Sequence, residues 1–224
     1  MEIIAHIHND FPTKFGLPRQ SALAPSLRSR ITFEPAYRNK DAVRGLEGFS
    51  HIWLIWEFSE SMRPAGAWSP TVRPPRLGGN TRLGVFATRS PFRPNPIGLS
   101  CVELEAIDLT ASDAPALIVT GADLMDGTPI YDIKPYLPGT ESHPEARDGF
   151  VGAAPWRPLQ VEIPGEIRAD LEQKLDKNQL QTLIEILEQD PRPAYQDAPE
   201  RVYGISYAGL DIHFRVEGFN LKLC

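Results

Sequence analysis

Residues 2–8 (EIIAHIH) alternate apolar and polar side chains, and residues 30–34 (RITFE) repeat the pattern. A period of two places alternate side chains on opposite faces of a strand, so both segments are predicted as half-buried strands. Residues 48–58 (GFSHIWLIWEF) are almost continuously apolar and rich in β-branched and aromatic side chains, the pattern of a central, buried strand. GVFAT (84–88), IGLSCVELEAI (97–107) and PALIVTGADL (115–124) are predicted to follow as strands, with a shorter one around 130–133. Seven prolines between Met62 and Pro96 exclude a long helix and any central strand through most of that span. Short strands joined by Pro/Gly loops point to a barrel or sandwich rather than a βαβ fold.

After about Gly139 the periodicity changes from two to nearly four. Ile167, Leu171 and Leu175 share one helical face, and Leu180, Leu183, Ile184 and Leu187 share another. The phase slips near 176–178, which predicts two short helices rather than one, the second stopped by DPRPAY. RVYGISYAGLDIHFRV (201–216) reads as a hairpin turning at Ala208-Gly209. The expected organisation is a mainly β unit over 1–140, a linker over 141–158 and a small α+β domain over 159–224. No internal repeat is evident.

A chain of 224 residues with 42% hydrophobic and 23% charged content is an ordinary globular sequence. No apolar run approaches the ~20 residues that span a bilayer, and MEIIAHIHND lacks the pattern of a signal peptide, so a cytoplasmic location is expected. Cys101 and Cys224 make no disulfide framework and fit a reducing compartment. His6 and His8 lie on one strand face, but CxxC and HxxxH are absent, and no metal site is expected.

Charge changes the picture more. The net charge of −6 argues against a wholesale nucleic-acid binder. Residues 61–102 nevertheless carry six arginines (Arg63, Arg73, Arg76, Arg82, Arg89 and Arg93) and no lysine, aspartate or glutamate. Residues 103–224 hold ten basic against twenty-two acidic groups. Solubilising faces mix signs. Arginine's planar fork suits phosphates, carboxylates and stacked bases, so an anionic or nucleotide partner is expected beside this segment. Within GVFATRSPFRPNPIGLS (84–100), Ser90, Arg93 and Asn95 each precede a proline and are held extended. Arg89 and Arg93 are thereby presented from a stiff backbone, which lowers the ordering cost of binding.

Other motifs are less specific. LGGN (77–80) has no following Lys-Ser/Thr and is not a phosphate loop, and no G-x-G-x-x-G follows a strand. DLMDGTPIYDIKPYLP (123–138) gathers Asp123, Asp126, Asp132 and Lys134 around an Asp-Gly turn. These residues leave two readings open besides a nucleotide-using enzyme. One is a non-catalytic RNA- or nucleotide-binding barrel. The other is a metal-dependent hydrolase built on Asp123, Asp126 and Asp132.

In their order and spacing, DAVRGLEGFSHIWLIWEF, RPPRLGGNTRLGVFATRSPFRPNPIGLSCVEL and LMDGTPIYDIKPYLP resemble the TrmO (TsaA-like) family of S-adenosylmethionine-dependent tRNA methyltransferases. QDPRPAY (189–195) resembles the C-terminal domain of its bacterial branch. The resemblance implies a mainly β fold with a small β-barrel core and a C-terminal α+β subdomain. It also implies a homodimer, and methylation of N6 of threonylcarbamoyl-adenosine at position 37, in the anticodon loop of tRNA for threonine. By the same resemblance Pro18, Arg19, Gln20, Ser59, Glu60, Arg89, Leu99, Leu124, Met125, Asp126 and Gly127 form the S-adenosylmethionine pocket. Glu60, Asp126 and the 124–127 carbonyls would face the sulfonium, and Arg19 or Arg89 would pair with the methionine carboxylate. Asp126 and Asp132 are the expected bases, with Arg76, Arg82 and Arg93 on RNA and Arg89 on the cofactor.

Overall fold

In the computed structural model, which describes residues 1–59, 68–153, 157–192 and 198–224, alternation of apolar positions translates into strands with one inward face. These are β1 (Ala5–His8), β2 (Arg28–Phe33), β3 (His51–Glu57), β4 (Thr71–Val72), β5 (Leu83–Gly84), β6 (Ile97–Asp108), β7 (Ala116–Thr120) and β8 (Pro129–Pro135). Six of them close in the order β1-β2-β7-β6-β3-β8, every pair antiparallel, with Ala5 opposite Ile130 and His6 opposite Pro129 at the seam. Closure leaves the barrel without a free sheet edge. Ile7, Ile31, Ile52, Leu54, Val102, Leu117, Val119 and Ile130 fill the interior.

Two expectations change. The 48–58 strand is buried on one face only: Ile52, Leu54 and Trp56 point inward, while His51, Trp53 and Ile55 are half-buried outside. The outer face is apolar because it is partly covered, as where Trp53 packs edge-on to Tyr136 and donates to Glu141 Oε1 at 3.0 Å. GVFAT is not a strand beyond Gly84. Val85–Ala87 coil into a single 3₁₀ turn closed by the Thr88 amide on the Val85 carbonyl.

The second unit comprises β9 (Gln160–Glu162), α3 (Gly165–Lys174), α4 (Lys177–Glu188), β10 (Tyr203–Tyr207), β11 (Leu210–Glu217) and β12 (Asn220–Leu223), preceded by single-turn helices α1 (Pro138–Glu141) and α2 (Phe150–Ala153). Its sheet order is β10-β11-β12-β9, with only β9 and β12 parallel. The expected phase slip is a helix start: Asp176 and Gln179 form a reciprocal capping box at the N-terminus of α4. Ala208 (φ 49°) and Gly209 (φ 76°) make the two-residue hairpin loop, both in the left-handed region such loops demand.

The two units are tied together by residues 9–27. Phe11, Ala24 and Leu27 belong to the second core, beside Leu183, Ile186, Leu187 and Phe214, although in sequence they run with the barrel. Phe11 packs on Tyr207 at 4.9 Å between ring centroids. Glu185 accepts from both the amide (2.9 Å) and the hydroxyl (2.7 Å) of Ser26.

Gly98 lies opposite Trp56 in the β3–β6 pairing, and a Cβ there would stand 2.1 Å from the indole. Gly98→Ala is therefore expected to destabilise the barrel by about 3 kcal/mol, the upper end of ordinary overpacking, read as a lower urea midpoint. Elsewhere, the Asp108 carboxyl is held well below the usual range, first by the Thr110 amide, then by the Thr110 hydroxyl, Arg30 and the Ala111 amide. A carboxyl depressed on folding stabilises the folded state above its unfolded pKa, and that contribution is lost as pH falls through the folded value. Asp108→Ala should lower stability at neutral pH, with the gap from wild type shrinking below about pH 4, measured by urea unfolding across pH.

Candidate functional site

The stiff 88–96 segment, the 18–20 turn and the end of β3 wall an open cleft of about 1820 Å³ beside the barrel mouth. A small-molecule pocket holds ~300–1,000 Å³, so this one has room for more than one small ligand. Pro18, Arg19, Gln20, Ser59, Arg89, Leu99 and Met125 line it, and so do Arg76, Arg82 and Arg93. The residues expected to hold a cofactor and those expected to hold RNA therefore largely share one cavity.

Its cationic side is built on a short relay. Arg89 Nη1 donates to Gln20 Oε1, and Gln20 Nε2 donates to the Arg19 carbonyl at 2.5 Å. Arg19 Nη2 reaches the carbonyls of Asp190 and Arg192, both at 3.3 Å, which ties the cleft to the C-terminal domain. Much of Arg19 remains in solvent, yet the protein packed around its guanidinium lowers its pKa; Asp190 opposes this and Arg76 adds to it. Arg93 folds back on its own segment, donating to the carbonyls of Thr88 (3.0 Å) and Ser90 (3.4 Å). The 88–96 segment is thus braced by a side chain as well as by its prolines. Arg82 Nη1 donates to Thr71 Oγ1 at 3.4 Å.

The anionic side is Asp123. Ser100 Oγ donates to Asp123 Oδ1 at 2.5 Å, and Trp56 Nε1 donates to Ser100 Oγ at 3.0 Å. Ser100 and Trp56 are buried, while Asp123 keeps part of its surface open to the cleft. Protein packed around the carboxyl raises its pKa, against the pull of the Ser100 hydroxyl, nearby amides and the Arg89 charge.

Other expected site residues lie elsewhere. Asp126 does not line the cleft; its carboxylate accepts from the Asn9 amide and meets His8 Nδ1, both at 3.2 Å. Asp132 is on the outer barrel wall, paired with Lys134 Nζ at 2.9 Å. Leu124 is fully buried in the barrel core, and its carbonyl accepts from Asn9 Nδ2 at 2.8 Å. Gly127 (φ 75°) completes the Asp-Gly turn beside it. Glu60 and Arg63 fall outside the described residues. Among the described residues no group of His, Cys, Asp or Glu could hold a metal, so Asp123, Asp126 and Asp132 are not brought together as the hydrolase reading requires. Sequence pattern alone leaves four contributors unassigned. Arg147, Phe150 and Val151 line the cleft from the linker, where no motif marked them. Ser100 was marked only by its even spacing from Gly98 and Val102, which put it on the inward face.

The arrangement combines guanidinium groups, a carboxyl held by a buried hydroxyl, and apolar wall from Leu17, Phe58, Leu99 and Met125. That set suits a ligand with an anionic end, a flat or aliphatic body and a cationic or proton-donating centre. Two family models match the chain. The tRNA-methyltransferase O N-terminal domain model matches residues 6–142, and the TrmO C-terminal domain model matches 157–223. The chain belongs to the TrmO family. It is 44% identical to the tRNA (adenine(37)-N6)-methyltransferase of Escherichia coli K12, over 96% of this chain and 92% of that one. A Pseudomonas aeruginosa protein provisionally named as an S-adenosylmethionine-dependent methyltransferase is 41% identical, over 94% and 90%. A crystal structure of TrmO superposes with a TM-score of 0.79 at 33% identity, covering 99% of this chain and 95% of that one.

Proposed function

We propose that the protein methylates N6 of threonylcarbamoyl-adenosine at position 37 of tRNA for threonine, using S-adenosylmethionine, and that it works in the cytoplasm as a homodimer. The observation that carries this reading is the meeting of Arg19, Arg89 and Asp123 with Arg76, Arg82 and Arg93 along one cleft. S-adenosylmethionine supplies an electrophilic methyl group when bound. Arg19 or Arg89 offers its methionine carboxylate a two-pronged partner, and Leu99 and Met125 offer apolar wall. Leu99 is 53% exposed on that wall, an apolar surface that a ligand or a second subunit would cover.

The acceptor supplies further anions, the threonyl carboxylate and the loop phosphates, which accounts for arginines beyond those the cofactor needs. An anticodon-loop base is unpaired and can be splayed into a pocket at little cost. The chain then has to hold acceptor nitrogen and methyl donor in line at near-contact distance, which a braced 88–96 segment favours.

Purified protein should transfer labelled methyl from S-adenosylmethionine to tRNA carrying threonylcarbamoyl-adenosine, and a deletion strain's tRNA should lose one methyl from the position-37 nucleoside by mass spectrometry. Binding without methyl incorporation would instead support a purely binding barrel. Within the cleft, Arg82→Ala should weaken tRNA binding several-fold and flatten its salt dependence by about one unit of slope, leaving cofactor affinity unchanged. Arg89→Ala should cost cofactor affinity about tenfold or more, as expected for a hydrogen bond between charged groups. Equal losses of both ligands in both variants would overturn that division of labour.

A further inference from the structure

Methylating an N–H leaves a proton to dispose of, and one carboxylate is built into the cleft in a manner unlike the others. Glu57, Asp123 and Asp148 are the described carboxylates lining it. Glu57 is engaged by the Tyr131 hydroxyl, and Asp148 sits on the linker turn that starts α2. Asp123 instead caps a buried hydrogen-bond chain that starts inside the barrel at Trp56 and passes through Ser100. Trp56 can only donate, so the Ser100 oxygen accepts from it and the single hydroxyl proton is directed at Asp123 Oδ1. That polarity holds one carboxylate oxygen in a fixed place and leaves the group further acceptor capacity. Two paired barrel strands thus supply a buried chain of donors aimed at one acid of the cleft.

We propose that Asp123 accepts the N6 proton of the substrate adenosine during methyl transfer, with Ser100 and Trp56 as positioning residues that aim its carboxylate. The inference rests on the reading of the cleft as a methyl-transfer site. As the nitrogen–carbon bond forms and the sulfur–carbon bond breaks, with the bonding pair left on sulfur, the N–H proton passes to Asp123. The neutral acid then loses that proton to water through the open cleft. The acceptor lone pair is delocalised into both adenine and the carbamoyl group, so removal of the proton as the bond forms raises its nucleophilicity. Neither Asp126 nor Asp132 faces this cavity.

The electrostatic surroundings agree. Packing lifts the Asp123 pKa towards the range where a carboxylate is a useful base, and Arg89 from the 88–96 segment keeps it from rising without limit. The other charged groups on the cleft are Glu57 at the end of β3, Lys14 and Arg19 before β2, Arg73, Arg76 and Arg82 around β4, Arg93, and Arg147 and Asp148 from the linker. Among the described residues no histidine or cysteine lines the cleft. Packing raises the Asp123 carboxyl, so an acid limb lying above the ordinary carboxylate range is the one expected of it.

The test is single-turnover methyl transfer across pH with calorimetric S-adenosylmethionine binding, on Asp123→Asn and Ser100→Ala. Asp123→Asn is expected to bind S-adenosylmethionine within a few-fold of wild type, to lose about 10²–10⁴ in rate and to lose the acid limb. Ser100→Ala removes a hydrogen bond that favours the charged carboxylate, so its acid limb should move to higher pH with cofactor affinity unchanged. An infrared titration of the Asp123 carboxyl in the ligand-free protein should show the same upward shift. Wild-type rate in Asp123→Asn, or an unmoved limb in Ser100→Ala, would overturn the assignment. So would parallel loss of cofactor affinity and rate, which would make Asp123 a cofactor ligand. If wild-type protein moves no methyl to tRNA at all, the underlying reading fails instead.

Discussion

The pairing of β3 with β6 governs the geometry of the cleft. Trp56 faces Gly98, and that glycine is what allows the indole to lie across the strand. From there its N–H reaches Ser100, two residues further along the same face, and Ser100 reaches across to Asp123 after β7. Side chains alternate along a strand, so a slip of one residue in either strand would turn Trp56 or Ser100 to the outer wall and break the chain to Asp123. Barrel closure and the floor of the cleft are therefore set by the same register. A glycine that weakens a strand in isolation is retained where a large ring must cross it.

Period-two alternation made most barrel strands legible, because an antiparallel barrel has one wet and one dry face and writes that difference into every strand. The two C-terminal helices were legible for the same reason at a longer period, and their junction at Asp176 could be read from the break in phase. β9 and β12 were not, since strands of three and four residues carry too little pattern to distinguish from loop. The site was less readable than the fold. The arginine-only window located the cleft wall, but which acid stands at its floor depends on parity around a turn. Asp123, Asp126 and Asp132 look alike in sequence, yet the Asp-Gly turn sends Asp126 to His8 and β8 places Asp132 outside. The closed-barrel topology and the choice of cofactor came from family resemblance, as no local pattern encodes either.

The two units share structure that a linear division conceals. Residues 9–27 leave the barrel after β1, supply Phe11 and Leu27 to the second core, and return as β2. Pro18, Arg19 and Gln20 lie on this excursion, so the cleft wall is held on one side by the barrel and on the other by the C-terminal domain. The C-terminal domain thus shapes the cleft through Arg19 whatever else it contacts. The charge distribution gives the arrangement a direction. The acidic excess of residues 103–224 repels a polyanion, while the arginine window attracts it, so an approaching tRNA is steered to the cleft rather than held over the whole surface.

The choice of arginine along the cleft wall has a physical reason beyond its fork of donors. Arg19 is packed by protein and stands near Arg76, and both conditions disfavour its charged form. A lysine in the same place starts about two or more units closer to neutrality and, when crowded by like charge and low dielectric, sheds its proton. An arginine under the same pressure remains a cation. Several positive groups can then be concentrated along one wall without neutralising one another, provided each is tethered. Arg93 to its own segment, Arg89 to Gln20, Arg82 to Thr71 and Arg19 to residues 190–192 each meet that condition. A carboxylate or phosphate bound beside Arg19 and Arg76 relieves the repulsion between them that is present in the free protein, and that relief adds to the affinity.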